Sequence, residues 1–316
     1  MREKTKSRLK FINKIMKQRI YGQEHAVTAA VALEAARLNG EKRIMLFAGP
    51  SGCGKSEIFR QLSRLSSDIF IIDASGLNAS GWKGRMKVDD ILRRPLITLV
   101  TELSRDLDGE DEVTLDDKIN HAADRLEKSV IVMDEADKAF LRPGGDYTSH
   151  ISLAGELLAL LEGTETEVEI EVYGKNKSVR IDTTKISFVL LGAFQEIYDK
   201  KRRSSKGLIG FEYGDGIEVE VKEEKAEITA QDLIDYGILP ELIGRIDRIV
   251  TLDGMDEEDY VKFISEECFW GFDITEDDIA DIAKKAYRTG LGLRWAKKEI
   301  QRREDDAMLR EIGIME

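Results

Sequence analysis

Apolar positions along this chain switch between a helical period and runs of strand length. Leu9, Ile12, Ile15, Met16 and Ile20 recur at helical spacing. After Tyr21-Gly22-Gln23-Glu24, the Ala-rich stretch His25 to Leu38 predicts a second helix, which Asn39-Gly40 ends. Ile44 to Ala48 is a short continuous apolar run, read as a buried strand, and 68–74, 129–137, 185–191 and 248–252 predict further strands. Residues 89–106 predict a helix, with Pro95 at a kink or in a first turn. An acidic connection at 106–117 precedes helix over 118–128, and 150–162 read as an amphipathic helix. Glu167 to Tyr173 alternates acid and apolar with period two. Gly174-Lys175-Asn176 turns the chain and the alternation resumes at Val179 and Ile181, which predicts a hairpin. Residues 199–216 hold five basic residues and six glycines or serines and predict a loop, with a second hairpin over 217–228. A short helix opens at Gln231-Asp232. From about residue 253 the strands stop and the pattern is helical.

Strands alternating with helices predict an α/β fold built on a parallel αβα sheet, with a site at the carboxyl ends of its strands. At 316 residues the chain exceeds what one core serves, so two domains are expected, 1–252 and a small helical one over 253–316. The net charge of −13 argues against non-specific binding to nucleic acid, which draws on Lys and Arg at phosphates. Cys53 and Cys268 form neither a metal spacing nor a disulfide framework, which suits a reducing cytoplasm. The basic start has no apolar segment after it and no run reaches membrane length, so neither a signal peptide nor a membrane span is expected.

The predicted strand 44–48 runs into Gly49-Pro50-Ser51-Gly52-Cys53-Gly54-Lys55-Ser56, the eight-residue P-loop pattern, and a helix follows. Glycines bring backbone amides close to a phosphate chain, and the helix start adds its positive dipole end. Lys55 would reach the β- and γ-phosphates of ATP and Ser56 would ligate Mg2+. The plain alternative is a Gly-rich strand-to-helix turn. Ser129 to Asp137 ends its apolar run in Asp134-Glu135, the pair expected to hold Mg2+ through water (Asp134) and to polarise the attacking water (Glu135). Taken alone, these carboxylates would equally serve as first-turn acids of the next helix.

The segments IYGQEHAV, GPSGCGKS, VMDEADK, LLGAF, YGILPELIGRIDRIVTL and TGLGLRW occur in the order seen in AAA+ ATPases of the Clp/HslU group, and the chain most resembles the ATPase module of its ClpX-like unfoldases. The resemblance implies several roles. Ile20-Tyr21-Gly22 would contact adenine, Arg245 would be the arginine finger reaching a neighbouring subunit, and Arg294 the arginine entering from the small domain. Either arginine out of this context reads as a surface ion pair. An arginine supplied in trans implies a homo-oligomeric ring, a hexamer in this group. Gly81-Trp82-Lys83-Gly84 stands where such proteins carry a pore loop that grips polypeptide, although Trp82 also suits an anchor for its own loop. Ile209-Gly210-Phe211 matches the tripeptide that docks on a ClpP-type peptidase; folding back onto its own loop is the alternative.

Three departures from the group stand out. There is no Cys-rich zinc-binding segment at the N-terminus, Lys83 replaces the usual aliphatic residue, and Leu190-Leu191-Gly192-Ala193 offers no Asn or Thr. The expected function is an ATP-driven, ring-forming unfoldase acting on polypeptide. A stand-alone remodeller and a DNA-directed AAA+ motor are the alternatives.

Overall fold

The computed structural model describes residues 3–79, 86–106, 114–140, 147–207, 227–267, 275–289 and 292–314. Residues 81–84 and 209–211 lie outside the described residues, as do 107–113 of the acidic connection and 217–226 of the expected second hairpin.

The predicted apolar runs become β1 (Ile44–Ala48), β2 (Ile69–Asp73), β5 (Val130–Asp134), β8 (Ser187–Gly192) and β9 (Arg248–Thr251). They form one parallel sheet in the order β2-β5-β8-β1-β9. All residues of β1 and β8 are buried, as expected of strands covered on both faces. The two-residue period sorts their side chains. Ile44, Leu46, Phe188 and Leu190 enter one hydrophobic cluster, while Met45, Phe47, Val189 and Leu191 enter another.

The second face is covered by α1 (Glu3–Arg19), α2 (Glu24–Leu38) and α3 (Lys55–Leu65), through Ile12, Met16, Leu33, Ile58 and Phe59. On the first face lie α4 (Asp90–Asp106), α5 (Leu115–Leu126) and α7 (Tyr147–Glu162). With them packs the hairpin β6 (Glu165–Val172) and β7 (Lys175–Asp182), which buries Val168, Ile170 and Ile181. A third cluster, centred on Tyr260, Phe263, Ile264, Ile282 and Ala296, is built by α11 (Glu257–Glu267), α12 (Glu276–Thr289) and α13 (Gly292–Glu311). None of the described helices is long and apolar enough to cross a membrane.

Three local expectations change. Residues 195–207 form a helix, α8 (Gln195–Gly207), where a loop was expected from residue 199. Lys and Arg are good helix formers, and Lys201 is held by the Glu227 carbonyl at 2.5 Å and by Asp232 at 2.6 Å. Residues 75–87 after β2 read as a Gly-rich loop, but in the structure Leu77–Asn78 (β3) pairs in parallel with Met86–Lys87 (β4). Pro95 sits in the second turn of α4, beyond the first-turn position where its missing N–H would cost nothing.

A buried ion pair within α2 is tied through Ser66 to the end of α3. Glu34 is fully buried and takes Arg37 with both oxygens, at 2.7 and 2.8 Å, while the Ser66 hydroxyl donates to it as well. Glu34→Ala leaves a buried guanidinium without its partner, for an expected loss of about 3–5 kcal/mol in urea unfolding. A loss under about 1 kcal/mol would mean that Arg37 relaxes into water.

Candidate functional site

The parallel register brings the carboxyl ends of the strands to one edge. Ala48 accepts from Leu252 N at 2.6 Å, and Gly49 N donates to the Gly192 carbonyl at 3.2 Å, so the chain leaves β1 between two neighbours. A Cβ at Gly49 would stand 2.7 Å from Cys53 Sγ and 2.8 Å from Leu252 Cβ, so no side chain fits. Gly52 (φ +83°) and Gly54 (φ +99°) are left-handed. Gly54 is also the N-cap of α3, and no side chain bonds the first amides of that helix there. Such amides at a helix start suit an anion. The Lys55 ammonium is buried and folded into the loop, donating to the carbonyls of Gly49 (2.5 Å) and Pro50 (2.8 Å). Burial pushes the Cys53 thiol up, against the opposing pull of Lys55, so it packs as a neutral side chain.

Two strands away, Asp134 ends β5 in register with Asp73 of β2. Two strand spacings amount to about 10 Å. Hydrogen bonds from Ser75 hold the Asp73 carboxyl below the usual range. Glu135 has φ +58°, its amide bonds Asp134 Oδ1 at 3.1 Å, and its carboxylate takes Lys138 Nζ at 2.7 Å. That bond raises the Lys138 pKa. Among the described residues no group of three or more His, Cys, Asp or Glu is arranged to hold a metal.

Two residues here escaped the sequence reading. Asp137 is buried on α6 (Ala136–Phe140) and accepts from the amides of Ala193 (3.1 Å) and Phe194 (3.3 Å). It grips the exit of β8, at the segment that lacks an Asn or Thr. Its place in the acidic run after β5 was a usable signal. Gly292, with φ +72°, opens α13 against the P-loop, and a Cβ there would lie 3.0 Å from Gly52 Cα. Nothing local in the sequence announces that contact.

Gly292 brings the start of α13 to the P-loop, and Arg294 stands two residues on, exposed. The segment around Tyr21 bridges to the third cluster. The Tyr21 ring meets Phe263 edge-on at 6.0 Å and its hydroxyl donates to Glu266. Gln23 Nε2 donates to the Asp253 carbonyl at 2.8 Å, and His25 Nε2 is 2.6 Å from the Thr251 carbonyl. Arg245 is not brought to this edge. It follows α10 (Pro240–Ile243) and precedes β9, where Asp247 N donates to the Ile44 carbonyl at 2.8 Å. That is the start of β1, and five residues of strand to Gly49 span about 16 Å. Arg245 is half exposed and pairs with Glu162.

Comparison with known proteins agrees with this geometry. The AAA domain (Cdc48 subfamily) family matches residues 41–249. The ATP-dependent Clp protease ATP-binding subunit ClpX 3 of Methylococcus capsulatus is 29% identical over 241 residues, covering 71% of this chain and 50% of that protein. The corresponding subunit ClpX 2 of Wolinella succinogenes is 28% identical over 235 residues, covering 72% of this chain and 52% of that protein. The chain spans about half the length of the curated relatives it matches. It belongs to the AAA family, as a ClpX-like AAA+ ATPase.

Gly292→Ala forces a side chain into a left-handed position against Gly52. ATP affinity is expected to fall about tenfold with the fold intact, since strained positions of this kind cost of order 1–3 kcal/mol. Titration of a fluorescent ATP analogue measures it; unchanged affinity would mean that the start of α13 yields without moving the P-loop.

Proposed function

We propose that this AAA+ ATPase works in the cytoplasm as a homo-oligomeric, hexameric ring that unfolds or remodels polypeptides, with two units per chain, 1–252 and 253–316. Lys55 leaves the loop carbonyls for the β- and γ-phosphates, and the amides of the loop after Pro50 cradle them. Bound Mg2+ would supply charge neutralisation between the phosphates. Ser56 and Asp134 are the residues that would hold it. Glu135 gives up Lys138 and takes a proton from the attacking water. Tyr21 lines the base end of the site, and Arg294 reaches it from α13. Arg245 serves the neighbouring copy.

What carries the reading is the placement of the arginines: the start of α13 abuts Gly52, whereas Arg245 lies about a strand length from its own P-loop. An arginine so placed is of use to a nucleotide only in another chain. The aromatic on Gly81-Trp82-Lys83-Gly84 would grip the threaded chain, and Ile209-Gly210-Phe211 would dock on a ClpP-type peptidase; both rest on sequence resemblance.

Glu135→Gln should bind ATP while hydrolysis falls at least ~100-fold, as loss of a general base does. Lys55→Ala should instead lose nucleotide binding. Normal turnover by Glu135→Gln would remove that residue from the mechanism. An unfolded protein should stimulate the wild-type ATPase and duplex DNA should not; the reverse outcome would favour a DNA-directed motor.

Arg245→Ala should bind ATP and fail to hydrolyse it. Mixing it with Lys55→Ala chains should restore part of the activity, since intact sites then form across mixed interfaces. Absence of recovery in assemblies shown to be mixed would rule out an arginine acting in trans.

A further inference from the structure

We propose that Glu162 is a positioning residue for hydrolysis in the neighbouring copy: it holds Arg245 in its own subunit and releases it when a partner's nucleotide competes for the guanidinium. The proposal rests on the reading of Arg245 as a group that acts in trans.

Glu162 is the last residue of α7 and pairs with Arg245 Nη2. A carboxylate is disfavoured at the negative end of a helix, and the last turn of α7 contains no basic residue to offset it. The compensating charge comes from Arg245, 83 positions later in the chain. Both backbones are held by hydrogen bonds next to the pair. After Glu162 comes Gly163 at φ +101°, where a Cβ would lie 2.9 Å from Thr184 Cα, and Thr164 N is bonded to Thr183 Oγ1 at 2.9 Å. Arg245 N donates to Leu242 O at 3.1 Å, and two residues on, the chain is already bonded to β1. Any change at this pair is therefore a swing of two side chains.

The sign of the effect follows from charge. A guanidinium helps phosphoryl transfer by its positive field at the γ-phosphate. A carboxylate in contact opposes that field and repels the phosphate itself. The pair seen here is therefore the withheld state. Both side chains are exposed, at 50% and 39%, so the hold is weak enough for a phosphate to break.

The test uses four variants of this chain over a range of ATP concentrations. Arg245→Ala has intact sites and no guanidinium to lend. Lys55→Ala lends the guanidinium but has no working site. Lys55→Ala/Glu162→Gln differs from the latter only in the hold. Mixed with Arg245→Ala, the double variant should support hydrolysis about two- to fivefold faster than Lys55→Ala does, the range an exposed ion pair can supply. The gain should appear in kcat and leave KM unchanged. Lys55→Ala/Glu162→Asp, which keeps the charge, should stay near the Lys55→Ala rate. Equal or slower hydrolysis with the Gln variant overturns the proposal, and slower would mean that Glu162 orients Arg245 for use. If Arg245→Ala alone hydrolyses ATP at the wild-type rate, the trans arginine fails and this proposal with it. An inactive Arg245→Ala together with a silent Glu162→Gln sinks the hold alone.

Discussion

At the end of β1 the backbone is bonded on one side to β8 and on the other to β9, and it leaves the sheet through a residue that has room for no side chain. The site depends on that constraint. Because the five strands are parallel and in register, Gly49, Asp134, Gly192 and Leu252 all emerge at one edge. Leu252 and Cys53 then close around Gly49 and fix where the loop begins. The same register sends the other end of β9, and Arg245 with it, to the opposite edge. A single sheet therefore keeps Arg245 away from the edge where the P-loop opens.

The third hydrophobic cluster meets this edge at named points among the described residues. Gly292 on Gly52, Gln23 on Asp253 and Tyr21 on Phe263 and Glu266 join α11 and α13 to the loop and to the start of α2. The joint is imperfect in polar terms. Gln23 Oε1 and Tyr198 Oη are buried without a hydrogen-bond partner, and burial pushes the Tyr198 phenol up, with Asp253 nearby adding to the shift. Each such group costs about 1–3 kcal/mol. The core strands carry no comparable defect among the described residues apart from Ser129 Oγ at the start of β5.

Most of the framework was legible in sequence because it is local. Apolar runs such as Ile44 to Ala48 become strands buried on both faces, and the acid–apolar alternation from Glu167 becomes a hairpin with Val168 and Ile170 inward. What escaped depends on partners distant in the chain. Helix α8 looks like a loop until Lys201 is seen between Glu227 and Asp232. Asp137 reads as one more surface acid until it bonds two amides 56 and 57 residues away. Gly292 draws no notice in sequence, and only its approach to Gly52 gives it a place beside the P-loop. The P-loop pattern and the Asp134-Glu135 pair are legible in sequence because each sits whole in one short stretch.

Four non-glycine residues with positive φ occur among the described residues, and two of them, Glu135 and Phe194, lie at or just beyond the exits of adjacent strands β5 and β8. Left-handed backbone at such residues costs roughly 1–2 kcal/mol each, and it persists only where the surroundings dictate it. Asp137 supplies that dictation. It sits two residues after Glu135, and its carboxylate bonds Ala193 N and Phe194 N, so one side chain pins both bends together. Gly192 completes the arrangement, since a Cβ there would lie 2.4 Å from the Phe194 ring. The bend turns the chain out of β5 directly after Asp134 and leaves the Glu135 carboxylate exposed, held by Lys138 alone among the described residues. A pinned backbone under a weakly held carboxylate fits the role proposed for Glu135, which must reach for water without the sheet edge moving beneath it.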